Sequence, residues 1–69
     1  MNYKETKKHH LSILTSQEKK SYMNAIWALE KSYDEGLTGY VVNAYDELSE
    51  DLQELFDTLA VFLFPSWRN

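Results

Sequence analysis

With 69 residues and no cysteine, this chain has to close its core without a covalent staple. At that size folding hides only about 60% of the surface the unfolded chain exposes, and a single small core supplies roughly 3 to 5 kcal/mol. Disulfides and thiolate metal sites are excluded by composition, which leaves helix packing or a second chain as the source of support. Two Trp, five Tyr and three Phe are many rings for so small an interior, so some are expected to face a partner.

Three helix signals stand in the sequence. Thr15-Ser16-Gln17-Glu18 has the capping-box spacing, which predicts a helix from Ser16, and Gly36 supplies the left-handed residue that commonly ends one. Between them Tyr22, Ile26, Leu29 and Tyr33 recur at spacings of four, three and four, a single core-facing stripe. The next segment supports two periods. Leu37, Val41, Ala44 and Leu48 fit a helix, whereas Tyr40, Val42 and Ala44 alternate as a strand would. A lone strand lacks a pairing partner, so a short helix from about Gly39 to Glu47, capped by Thr38, is favoured. Ser49 then caps a last helix. Leu52, Leu55, Phe56, Leu59, Phe62 and Leu63 make its broad apolar face, and Pro65 should end it at Phe64.

Residues 1–14 carry Lys4, Lys7, Lys8, His9 and His10 against one acid, Glu5, and show no repeating apolar face. They read as a basic arm, mobile unless docked, preceding a helical domain over 15–69. Leu11, Ile13 and Leu14 are apolar enough to anchor its end. The fold class expected is therefore all-α: a small bundle of two to three helices with a basic N-terminal arm, dimeric if surplus aromatics pair between copies. Two helices result if Ser49 lies inside a continuous helix.

Charge is divided along the chain. Asp34, Glu35, Asp46, Glu47, Glu50, Asp51, Glu54 and Asp57 fall in a stretch without Lys or Arg, while six of the seven basic residues precede Ser32. At about 100° per residue, Glu50, Glu54 and Asp57 share a narrow arc opposite the leucine face, with Asp46 joining them in a continuous helix. A solvated outer face is the commoner fate of such a ridge, and the alternative is a surface for a basic partner. Mimicry of a phosphate row is a minor reading at a net charge of -4.

Trp27 lies off the core stripe, beside Lys20, Met23 and Lys31. It caps the core edge with Lys31 on its ring, or Met23 and Trp27 anchor an interface. Trp67, beyond the expected helix stop, folds back over Phe64 or enters a second subunit, and the pair of Trp residues favours a homodimer.

Catalytic, cofactor and metal sites are not predicted. There is no Cys nucleophile, no Gly-rich phosphate loop and no His-Glu-x-x-His, and His9-His10 reads as two solvent-facing imidazoles, since adjacent positions do not share a helix face. Lys4, Lys7, Lys8, Lys19 and Lys20 could grip phosphates, but an acidic chain with an acidic last helix is the wrong footprint for a nucleic-acid binder. No signal-peptide stretch is present, and the longest apolar run, Leu59 to Phe64, falls far short of the roughly 20 residues of a membrane span. The expectation is a cytoplasmic, non-enzymatic regulatory or inhibitory protein. It would hold a larger basic protein through Asp46, Glu50, Glu54 and Asp57, with Met23, Trp27 and Trp67 as anchors. The alternatives are a nucleic-acid-associated accessory protein and a purely structural homo-oligomer.

Overall fold

The computed structural model describes residues 1–36 and 39–67. Four α-helices follow in order among them: α1 (Tyr3–Ser12), α2 (Ser16–Glu35), α3 (Gly39–Asp46) and α4 (Glu50–Ala60). The class is all-α, as expected, but the expectation of two to three helices is wrong by the N-terminal one.

Where an arm was expected, α1 is a capped helix. The Asn2 side chain accepts from the Glu5 amide at 2.8 Å, Glu5 sits in the first turn, on the side the helix dipole favours, and His9 and His10 sit in the last. Its docking face is Tyr3, Lys7, His10 and Leu11, at helical spacing but with polar atoms in the first three, and Leu14 follows in the turn after the helix. Tyr3 donates to Glu30 Oε2 at 2.6 Å, Lys7 Nζ donates to the same oxygen at 2.8 Å, and His10 Nδ1 shares a 2.9 Å hydrogen bond with the Tyr22 hydroxyl. Tyr3, Leu11 and Leu14 also pack against the core. Hydropathy periodicity does not register such a face, because it scores Lys and His as outward.

The capping box at α2 forms in full: the Glu18 amide donates to Thr15 Oγ1 at 3.2 Å and the Thr15 amide to Glu18 Oε1 at 3.0 Å. Gly36 ends the helix at φ 71°, its amide donating to the Ser32 carbonyl, a left-handed position that a Cβ would strain. Tyr22, Ile26 and Leu29 enter the core as expected, but Tyr33 does not. It stays 54% exposed, and Ser32 completes the buried face with Ala25 and Ala28. These small side chains, spaced three and four apart, line a seam that a search for large apolar residues passes over.

α3 is the helix and not the strand: Val41 and Ala44 are buried while Tyr40 and Val42 are exposed. It packs along α2 more extensively than any other helix pair does. The expected cap Thr38, with Leu37, lies outside the described residues. Turn bonds from the Glu47 and Leu48 amides to the Ala44 and Tyr45 carbonyls close α3. Ser49 Oγ then accepts from the Leu52 amide at 3.3 Å to open α4, so α3 and α4 are separate helices. Gln53 Nε2 reaches back to the Tyr45 carbonyl at 2.9 Å and fixes the corner.

α4 stops at Ala60, earlier than Phe64. The Leu63 and Phe64 amides both donate to the Ala60 carbonyl, and the Trp67 amide donates to the Phe64 carbonyl at 2.8 Å. This tightened turn sends the chain back across α4. Phe56 is the centre of the resulting core, with Tyr22, Tyr45 and Trp67 rings 5.9, 5.8 and 5.8 Å from it, the spacing at which tilted and edge-on aromatic pairs attract.

Candidate partner-binding surface

The carboxylates expected to form one ridge do not all reach solvent. Asp46, Glu47, Glu50, Asp51 and Glu54 are all exposed, at the end of α3 and along the start of α4. Asp57 is not part of that exposed row. It is 5% exposed, and one of its oxygens accepts the Trp67 indole N–H at 2.9 Å. Its angle on α4 is the one expected, but the returning tail covers the helix there. Burial of a carboxylate is tolerable only with hydrogen-bond donors to meet it, and the Trp67 indole supplies one.

Asp46, Asp57 and Trp67 are brought together with Val42 and Tyr45 around an open hollow of about 290 Å³. Val42 is 50% exposed on its wall, and Tyr45 stands edge-on to Trp67 at 5.6 Å. Sequence reasoning missed Val42 and Tyr45 as site residues. The available signal was Val42, three residues before Tyr45 and four before Asp46 on α3. Of the two fates weighed for Trp67, the fold-back is the one observed, onto Phe64, Tyr45 and Phe56.

Met23 and Trp27 do not join this hollow. They stand on the outward face of α2, 52% and 59% exposed, and Trp27 borders a different depression with Glu30, Lys31, Asp34 and Glu35. Lys31 Nζ lies over the Trp27 ring at 5.5 Å, the expected stacking, and over the Tyr40 ring at 5.4 Å. It also bonds Glu35 at 2.9 Å, and that hydrogen bond holds its pKa above the ordinary lysine value.

Two polar centres tie α1 to α2. At Glu30, burial pushes the carboxyl pKa up, but the hydrogen bonds from Lys7 and Tyr3 outweigh it and leave the pKa below normal. His10 is buried, contrary to the expectation of two solvent-facing imidazoles. Burial, then the neighbouring His9, lowers its pKa below the ordinary 6.5. Tyr22, its partner, is pushed above the usual phenol value by burial and by the Asp57 charge.

Among the described residues no group of three or more His, Cys, Asp or Glu is placed to hold a metal ion. No helix there is long and apolar enough to cross a membrane. Comparisons with protein-family models, with curated proteins and with solved structures find no match for this chain.

Proposed function

We propose that the protein is a non-enzymatic regulatory or inhibitory protein of the cytoplasm, self-associating, that binds a larger protein through that partner's basic surface. The observation that carries this reading is the row Asp46, Glu47, Glu50, Asp51 and Glu54, exposed, joined to no cation by an ion pair among the described residues, and set beside the apolar hollow of Val42, Tyr45 and Trp67. Exposed carboxylates steer and orient a cationic partner. An adjoining apolar wall suits the methylene stem of a Lys or Arg whose head reaches Asp46. Nucleic-acid binding is the weaker reading, because Lys7, one of the five candidate lysines, is engaged by Glu30.

The test is affinity capture from cell extract by wild type and by Glu50→Lys with Glu54→Lys, both exposed positions, read by mass spectrometry. The reading expects a basic protein retained by wild type, released by salt and lost with the double variant, while helical circular dichroism is unchanged. Capture that ignores the charge reversal would sink it. Asp57→Lys is unsuitable for this purpose, since it would bury an ammonium in the core.

A further inference from the structure

The outward stripe of α2 has a symmetry of its own. Trp27 lies near its middle with Met23 one turn before it, and both are half exposed. Lys20 stands seven residues before Trp27 and Asp34 seven residues after, and both are exposed. Seven residues at about 100° and 1.5 Å each bring both charges to within about 20° of the Trp27 meridian and about 10 Å from it along the axis. Lys31 also stands on this stripe, one turn after Trp27, but its ammonium is bonded to Glu35 and lies over the Trp27 ring, so the stripe charges in no ion pair among the described residues are the cation Lys20 at one end and the anion Asp34 at the other.

We propose that two copies of this chain pair through these stripes, with their α2 helices antiparallel about a two-fold axis at Trp27. The inference rests on the self-association in the proposed function and supplies its surface. In this arrangement the two indoles meet at the axis, each copy's Met23 lies beside them, and Lys20 of each copy faces Asp34 of the other. An isologous contact makes every pairing twice, so the charges close in two bridges. A parallel pairing would set Lys20 against Lys20 and Asp34 against Asp34, which like-charge repulsion disfavours. None of Lys20, Met23, Trp27 and Asp34 belongs to the row of Asp46, Glu50 and Glu54. Each dimer carries two ridges and can bind a partner bivalently.

Sedimentation equilibrium from micromolar to millimolar protein tests the pairing. Wild type should show a monomer–dimer equilibrium weakened by salt. Lys20→Asp and Asp34→Lys should each raise Kd about tenfold, and the two together should restore it to within about threefold. Trp27→Ala should shift the equilibrium to monomer with its helical circular dichroism retained, because all three side chains are exposed. A wild type that is monomeric at millimolar concentration would overturn the inference and the self-association with it. A dimer whose Kd ignores the charge swaps would overturn the α2 geometry alone, leaving the acidic-ridge reading to its own capture assay.

Discussion

Ser32 brings a hydroxyl into the core where its Oγ meets no hydrogen-bond partner among the described residues. Leaving a buried hydroxyl unmet costs about 1 to 3 kcal/mol, and Ser is also a poorer helix former than Ala. Ser32→Ala should therefore raise the unfolding free energy by about 1 kcal/mol in urea titration. A loss of that size would mean the hydroxyl has a partner after all. Asp57 makes the opposite point at the same scale: its side chain is buried, yet its carboxylate is met by the Trp67 indole. Nothing local distinguishes it from Glu54. The difference comes from a tail ten residues further on, and helical phase alone has no access to a contact made by chain reversal.

At the scale of elements, α2 and α4 were legible because their caps and apolar stripes are local, and Thr15, Gly36 and Ser49 all act where the sequence puts them. α1 was not legible as a docked helix. Its attachment runs through Glu30, which receives both Tyr3 and Lys7, and through His10 on Tyr22. Polar tethers of this kind depend on a partner 12 to 27 positions away, so no window of residues 1–14 contains them. Glu30→Ala removes the acceptor for two bonds, one of them a charged pair with both side chains part exposed. A cost of about 1 to 2 kcal/mol is expected, together with faster amide hydrogen exchange in α1 than in α2. Equal acceleration in both helices would show that α1 does not open separately.

For the whole molecule the two tethers contribute to the response to acid. His10 has a folded-state pKa below 6.5, so the unfolded chain binds its proton first. The stability this group contributes is complete above about pH 6.5 and is lost as pH falls toward the folded-state value. Glu30, depressed below 4.5, adds a second loss as pH falls below that value. Thermal unfolding should therefore weaken in two stages, and His10→Gln, which keeps a hydrogen-bonding group without titrating, should flatten the first stage between pH 7 and 5. An unchanged profile in that variant would assign the first stage to another group. The candidate surface was half legible for a related reason. Charge is written directly in the sequence, so Asp46, Glu50 and Glu54 were found, while the hollow beside them needs α3, α4 and the returning tail together.

The two tryptophans also differ in a way that makes the protein its own optical gauge. Trp67 lies among Tyr45, Phe56 and Phe64 with its N–H on a carboxylate, whereas Trp27 lies open to solvent beside Lys31. Emission from Trp67 follows closure of the core, and quencher access to Trp27 follows what covers the outer face of α2. With Trp27→Phe and Trp67→Phe each leaving a single tryptophan, folding and any association become separately visible without any added label.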